Sequence, residues 1–514
     1  MKEKWYTLKV AIHRVFSKEA VLASIKKTGV KKGAYQGGLT VLVILILVIA
    51  NLVAGQLPSN INTLDLSEEQ VLELSKTSKE YLGDLDEKLQ FIVLADKNDA
   101  DPTIASFIEK YAATSKNISV QWVDPVLHPG TLSTYSAEAN SVVIKNKTTE
   151  DFEVISFSSI YSSSYDSSYQ TVTTFDGDGQ FTSAVHSLTN DTSHKIYLTS
   201  GHNEQALGSS ITALFDKANY ETADLNTVLT AKIPDDCDLL LINAPETDFT
   251  EDEVKNLESY VASGRKLMIL PLSQEENLPN LTQLMKDYGL KMTEGYIADS
   301  TRSYQGQAYY LFPNVTATGD YLQELTNQMV LIPNTKGFTE VDPKSDNITV
   351  TQLLATSSDG YNVTEDDQVQ GTYTLGAVAT QSVAEETAET TSESGKETTE
   401  SSSETEDSTS TASSDETTTE DVAAEGRVTI LASSSIIDET ITTSLPTLEN
   451  NTFFMNTVTA NFDGVENISI EAKTMNGNTN TVQQAGGISI IAILLLPILI
   501  LAAGFVTWFR RRKA

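Results

Sequence analysis

The sequence predicts an α/β protein with a parallel sheet, held between two membrane-spanning helices. Short apolar runs alternate with amphipathic helical patterns from Lys195 to Tyr288, the signature of strands covered by helices. Two uncharged runs, Gly38 to Leu57 and Ala485 to Phe509, reach the length of about 20 apolar residues that a bilayer core requires. The chain has 514 residues, enough for several domains at roughly 150 residues each.

Charge and cysteine content narrow the function classes. There are 35 Lys and Arg against 70 Asp and Glu, a formal net charge of −35, which argues against nucleic acid as a partner. The single Cys excludes an internal disulfide framework and a Cys-based structural zinc site.

Residues 1–37 form a basic tail, with nine Lys and Arg against Glu3 and Glu19, and residues 510–514 close the chain with Arg510, Arg511, Arg512 and Lys513. The positive-inside rule puts both tails in the cytoplasm and the segment between the spans on the outer side of a plasma membrane. Span one covers 38–57. Its basic flank is too long for the n-region of a cleaved signal, so it reads as an uncleaved anchor. Span two covers 485–509; Pro497 within it is tolerable because neighbouring groups can re-satisfy a kinked backbone. A large outer domain without disulfides suggests a bacterium.

Residues 58–190 read as a first α/β unit. Ser67-Glu68-Glu69-Gln70 is a capping box that opens a helix to about Leu82. Leu89 to Leu94 is a strand. Pro102 opens a helix whose Ile104, Phe107, Ile108 and Tyr111 fall on one face. Ile118 to Val123 alternates as a strand, Ser141 to Lys145 and Phe152 to Phe157 follow as two more, Ser158 to Tyr169 reads as a loop, and a helix lies near Phe181 to Leu188. This order is similar to a thioredoxin-like unit, but without Cys-X-X-Cys there is no dithiol chemistry.

Residues 191–380 read as a parallel α/β domain. Lys195 to Thr199 is a strand, and Ile211, Leu214 and Phe215 mark a helix. Asp238 to Asn243 is a continuous apolar run, as in a strand covered on both faces. Thr250-Glu251-Asp252-Glu253 is a second capping box, opening a helix that buries Val254, Leu257 and Val261 and ends at Gly264. Lys266 to Leu270 is the next strand, and Leu281, Leu284 and Tyr288 define the helix after it.

Residues 381–425 hold 14 acidic residues, one Lys and no aromatic in a Ser/Thr background. Such a composition cannot bury enough apolar surface to order itself. Strand-like runs, Tyr373 to Ala379 and Arg427 to Ala432, flank it, so it reads as a disordered insertion within one domain, with a linker between two domains as the alternative. Residues 426–484 then return to the α/β domain and approach the membrane.

The usual catalytic signatures are absent: no Gly-X-X-X-X-Gly-Lys-Ser/Thr, no Gly-X-Ser-X-Gly and no His-Glu-X-X-His. Cys237 stands just before a strand, where a buried hydrophobe is expected rather than a nucleophile. One cluster is suggestive. Ser200-Gly201-His202-Asn203-Glu204, Ala244-Pro245-Glu246 and Leu272-Ser273-Gln274-Glu275 each follow a strand, and in open α/β sheets ligands bind outside the carboxyl ends of strands. A binding groove lined by Gly201, His202, Glu204, Glu246 and Gln274 is one reading; a tight turn at Gly201, with His202 and Glu204 bonded locally, is the other.

Several short patterns, in order, resemble the gliding-motility-type auxiliary components of ABC transporters: Leu64-Asp65-Leu66-Ser67 with Leu74-Ser75-Lys76-Thr77; Gly179-Gln180 before Phe181-Thr182-Ser183-Ala184-Val185; Gly201-His202-Asn203-Glu204; Asn450-Asn451 with Phe453, Phe454 and Asn456; and Pro497, Gly504, Trp508 and Arg510 to Arg512. Gln180 stands where that family usually has Glu, Gly264-Arg265 where it often has Gly-Gly, and the acidic insertion is unusually long. The resemblance implies an extracytoplasmic region similar to the class I glutamine amidotransferase-like fold without its catalytic Cys. It also implies partnership with a separate ABC permease and ATPase. The expected function is a non-catalytic auxiliary membrane subunit that binds substrate or partner, with no cofactor. A membrane-anchored surface hydrolase or a cell-wall-interacting protein is the alternative.

Overall fold

The computed structural model describes residues 71–165, 171–190, 192–230, 232–272, 277–383, 425–445 and 447–475. Both long apolar runs, the Ser67 capping box, Gln274 and most of the 381–425 stretch lie outside the described residues. Among the described residues, no helix is long and apolar enough to cross a membrane. The fold is mixed α/β with parallel sheet elements.

The first unit runs α1 (Lys76–Gly83), β1 (Leu89–Val93), α2 (Pro102–Ala112), β2 (Ile118–Trp122), α3 (Pro129–Tyr135), β3 (Ser141–Asn146), β4 (Phe152–Ser156), α4 (Phe157–Ile160), β5 (Tyr161–Tyr165), β6 (Thr171–Phe175) and α5 (Gly177–Thr189). Its main sheet has the order β2-β1-β3-β4, with β1 and β2 parallel and the other neighbours antiparallel. Asp101 caps α2 by accepting from the Thr103 and Ile104 amides, and Pro102 occupies the first turn, where its missing N–H costs nothing. The apolar face of α2 and that of α5 meet β1 in an aromatic core: Phe91, Phe107, Tyr111, Phe175 and Phe181 are fully buried or nearly so, with neighbouring ring centroids 5.3–5.9 Å apart. Each such ring contributes roughly 1.5–3 kcal/mol by leaving water. Part of the expected Ser158 to Tyr169 loop is ordered instead as α4 and β5; the β5–β6 pair is held by ladder bonds rather than by burial of an apolar stripe.

The second unit begins β7 (His194–Ser200), α6 (Ser209–Lys217), β8 (Tyr220–Asn226), β9 (Leu239–Asn243), α7 (Glu251–Ala262), β10 (Lys266–Leu270) and α8 (Pro279–Asp287). A run of short strands follows: β11 (Leu290–Met292), β12 (Tyr296–Asp299), β13 (Tyr310–Leu311), β14 (Asn314–Val315), β15 (Ile332–Pro333), β16 (Phe338–Glu340), β17 (Ile348–Ala355), β18 (Gly360–Val363) and β19 (Gln368–Gln370). The unit closes with β20 (Thr374–Ser382), β21 (Glu425–Leu431), α9 (Glu439–Ser444) and α10 (Asn450–Thr459), and β22 (Lys473–Thr474) follows.

Five strands are parallel, in the spatial order β8-β7-β9-β10-β21. In chain order this is 2-1-3-4-5, the doubly wound order whose direction reverses between its first and third strands. Every residue of β9 and β10 is buried, because helices cover both faces. β20 adds antiparallel to β21 through seven residue pairs, Gly376 with Leu431 to Ser382 with Glu425. The two ends of the acidic stretch are therefore neighbours in one sheet. The chain after α10 does not stay with the second unit: β22 pairs with β6 of the first.

A polar seam joins the units. Lys217 of α6 donates to Asp176 Oδ1 at 2.6 Å and to the Ile470 carbonyl at 2.8 Å, and Gln180 Nε2 donates to Asp176 Oδ2 at 2.9 Å. Gly179 has no room for a side chain, since a Cβ there would stand 2.6 Å from both Asp176 Oδ1 and the Ile470 carbonyl oxygen. Asp178 accepts from the Ser75 amide and the Ser78 hydroxyl, each at 2.6 Å, anchoring the start of α1. Glu324 accepts from the Thr77 amide and hydroxyl. Asn450 pairs with both backbone groups of Leu331, and Asn456 donates to the Tyr321 and Gln323 carbonyls. The Leu74 to Thr77, Gly179-Gln180 and Asn450 to Asn456 patterns are thus packing and joining devices.

Candidate functional site

The reversal of strand order lies between β7 and β9, and the loops at their carboxyl ends carry the suggestive cluster. Three left-handed residues shape them. Gly201 has φ +116°, and a Cβ there would stand 2.8 Å from Val228 Cγ2, so glycine is required. Asn203 has φ +57°, and the buried Ala244 has φ +48°, a strained value for a residue with a Cβ.

His202 turns inward, with only 3% of its surface exposed. Its ring stacks on Phe249 at 4.0 Å between centroids and 13° between planes. Nε2 is 3.4 Å from Glu253 Oε1, and Nδ1 is 3.8 Å from Glu204 Oε1 and 3.4 Å from the Thr227 hydroxyl. Its carbonyl accepts from the Glu246 and Thr247 amides at 2.9 and 3.0 Å, and its amide donates to Glu204 Oε2 at 2.8 Å. Glu253 serves twice: Oε2 closes the capping box by accepting from Thr250 at 2.8 Å, while Oε1 faces the imidazole. Burial pulls the Glu253 carboxyl up, but the Thr250 hydrogen bonds and the His202 ring outweigh it and hold it below its ordinary range. His202 is therefore a cross-tie between the β7 and β9 loops, β8 and α7. Walled in on its face and both nitrogens, it is not placed to meet a substrate.

The predicted groove is only partly assembled. Gly201 and Glu204 line a pocket of about 480 Å³ beside β7, with Thr199, Asp224, Leu207 and Phe215 among its other walls. His202 does not line it. Glu246 is exposed and contributes its backbone amide to His202, and it does not line the pocket either. The sequence reading did not single out Glu253, Phe249, Thr227, Thr199 or Asp224 for this site. The Thr250-to-Glu253 spacing marks a cap but says nothing of the second carboxylate oxygen, and the rest come from segments that only the fold brings together.

The remaining reactive residues lie elsewhere. Cys237 is fully buried at the amino end of β9, opposite the loops. Tyr260 Oη donates to its carbonyl at 3.1 Å and to its sulfur at 3.2 Å, and burial pushes the thiol up to about 11. His186 packs against Tyr81 in the first unit, and burial lowers it to about 4. His194 stacks on Phe462 at 4.3 Å. Among the described residues, no group of three or more His, Cys, Asp and Glu is placed to hold a metal ion.

Residues 193–457, just over half of the chain, match the family described as ABC-type uncharacterized transport system. No curated protein matches. Among solved structures, the mmIFT52 N-terminal domain is 13% identical, with a TM-score of 0.35, over 52% of this chain and 98% of that one. A ThuA-like protein from Bacteroides uniformis is 11% identical, with a TM-score of 0.22, over 36% of this chain and 76% of that one. At these TM-scores the two likenesses carry no argument about fold or function.

Proposed function

Because the chain belongs to the ABC-type uncharacterized transport system family, we propose that it is a non-catalytic auxiliary membrane subunit of such a transporter. The family match over 193–457 carries this reading. Two spans, at 38–57 and 485–509, would hold residues 58–484 outside the plasma membrane with both tails in the cytoplasm, as the nine basic residues before the first span and the Arg510 to Lys513 cluster favour. An ABC permease and a P-loop ATPase would be the partners, since this sequence has no P-loop of its own. The first unit reads as thioredoxin-like from its β2-β1-β3-β4 order, and the second as amidotransferase-like, its sheet running 2-1-3-4-5 without a nucleophile at the strand ends. The gliding-motility type is the finer family reading.

Two observations favour binding over catalysis. His202 is sealed against Phe249, Glu204 and Glu253, and the Cys237 thiol is buried at the wrong end of its strand. For a surface hydrolase using Glu204 or Glu246, Glu204 is held by the His202 amide and Glu246 is exposed outside the pocket. Affinity purification from gently solubilised membranes tests the reading. A permease and a P-loop ATPase should co-purify in fixed ratio; a preparation of the chain with neither would overturn it.

A further inference from the structure

His202 faces more carboxylate than a neutral imidazole can serve. Glu253 Oε1 lies 3.4 Å from Nε2 and Glu204 Oε1 lies 3.8 Å from Nδ1, and the three side chains are only 4% to 12% exposed. Both oxygens are buried without a hydrogen-bond partner, so they depend on the ring for a countercharge. The second oxygen of each carboxylate is already engaged: Glu204 Oε2 by the His202 amide, Glu253 Oε2 by the Thr250 amide and hydroxyl.

The other charged groups on the packed elements are turned elsewhere. On the β9 loop Glu246 is exposed, and Asp248 accepts from the Asn280 and Leu281 amides of α8. On α7, Glu251 and Asp252 are exposed, and Asp252 pairs with Lys255. On β8 Asp224 is exposed, and the group that meets the ring from that side is the neutral Thr227 hydroxyl, 3.4 Å from Nδ1. His194, Lys195 and Tyr197 of β7 stand towards its amino end, against Asp236 and Asp238.

A neutral imidazole carries one N–H and one lone pair. With its proton on Nε2 the ring serves Glu253 and takes the Thr227 hydroxyl on Nδ1, and the buried Glu204 Oε1 is left with neither donor nor countercharge. The imidazolium meets both carboxylates. Glu204 is also a wall of the pocket of about 480 Å³, together with Gly201 and Asn203 from the same turn.

We propose that His202 is a proton-operated latch: the doubly protonated ring ties the loops after β7 and β9 to α7, and loss of one proton to solvent releases the Glu204 arm and loosens that wall of the pocket. Imidazole is the side chain whose charge changes between about pH 5 and 8, so the latch is closed on the acid side and opens as pH rises. The latch does not depend on the transport role, and it can fail while the ATPase still co-purifies, and the reverse.

Hydrogen exchange on the full chain in lipid nanodiscs tests it, read by mass spectrometry over residues 200–205 and 244–249 and corrected for the intrinsic pH dependence of exchange. The amides of His202, Gln205, Glu246 and Thr247 all bond within and across these loops, and α2 of the first unit is the internal reference. Opening of the two loop segments should rise at least about fivefold between about pH 5.5 and about pH 8.5, with α2 unchanged. His202→Gln removes the titrating ring and should abolish the rise. Glu204→Gln keeps an oxygen for the His202 amide but removes the charge that calls for the second proton; it should abolish the rise too, and it guards against misfolding of the first variant. The proposal is overturned if the parent loops exchange alike at both pH values, if α2 loosens in step with them, or if either variant keeps the parent's rise.

Discussion

At the scale of single residues, the molecule places titratable groups in settings that reverse their ordinary behaviour. His186 is buried against Tyr81, accepts from Asn190 at 2.8 Å and titrates near 4 when folded, because burial disfavours its charge. In the unfolded chain it takes a proton near 6.5. The unfolded state therefore binds that proton first, and the stability His186 confers is full above about 6.5 and is lost as pH falls towards 4, a loss of up to roughly 3 kcal/mol. Asp178 and Glu471 act in the opposite sense. Burial raises both carboxyls, so each gains stability as pH falls through its folded value. The His186 contribution must be read as a difference: urea unfolding of the parent at pH 7 and pH 4.5 should show a larger loss than His186→Gln does over the same interval, and equal losses would refute the assignment.

The seam residues make a sharper case. The Lys217 and Asp176 side chains are 9% and 12% exposed, and the pair bridges the two units. Removing one partner of a buried pair leaves the other charge stranded, at a cost of about 3–5 kcal/mol. Lys217→Ala should lower stability by that amount. Gly179→Ala, which forces a methyl into the same pair, should lower it by about 1–3 kcal/mol. Both are checked by denaturant midpoints, and a neutral Gly179→Ala would contradict the packing described. Of these residues only Gly179 was visible in the sequence, as part of a resemblance; Lys217 and Asp176 were not singled out, because Lys217 and Ile470 lie far along the chain from Gly179 and only the fold brings them to it.

At the scale of elements, legibility followed burial. β9 and β10 are continuous apolar runs because both faces are covered, and they could be read directly. β8, an edge strand with the sequence Tyr-Glu-Thr-Ala-Asp-Leu-Asn, was not read: it buries only Tyr220 and Leu225 and shows no clean period. α3 buries no residue at all and left no apolar stripe to find. The short strands β11 to β16 are defined by distant pairings rather than by local pattern, whereas β18 and β19 form a local hairpin. The α7 cap was legible from Thr250 and Glu253 alone, because both partners lie within one turn. Glu253→Ala should cost about 1–2 kcal/mol through the lost cap.

The β20–β21 pairing makes a further prediction at this scale. Seven residue pairs hold the ends of the acidic stretch side by side, so residues 384–424 can be replaced by a short Gly/Ser turn without disturbing the sheet. Closing a loop about ten times shorter costs roughly 2 kcal/mol less entropy. The shortened chain should melt at the same temperature as the parent or higher, and a clear fall would show that the stretch packs on the fold.

At the scale of the whole molecule, the carboxyl ends of β7 and β9 are stiffened rather than opened. His202, Phe249 and Glu253 lock the loops together, and what remains accessible is a pocket of about 480 Å³ beside them. The return of β22 to β6 joins the last described segment to the first unit, so the two ends of the described chain meet on one body. That arrangement suits a rigid body carried between two anchors, since both would leave from the same unit. The two-anchor topology is a central part of the proposed role. It can be measured with membrane-impermeant maleimide on intact cells, in a Cys237→Ala background, using single cysteines at Val10, Glu246 and Arg512. Labelling is expected at position 246 in intact cells, and at positions 10 and 512 only after permeabilisation. Labelling of either tail from outside, with position 246 protected, would contradict it.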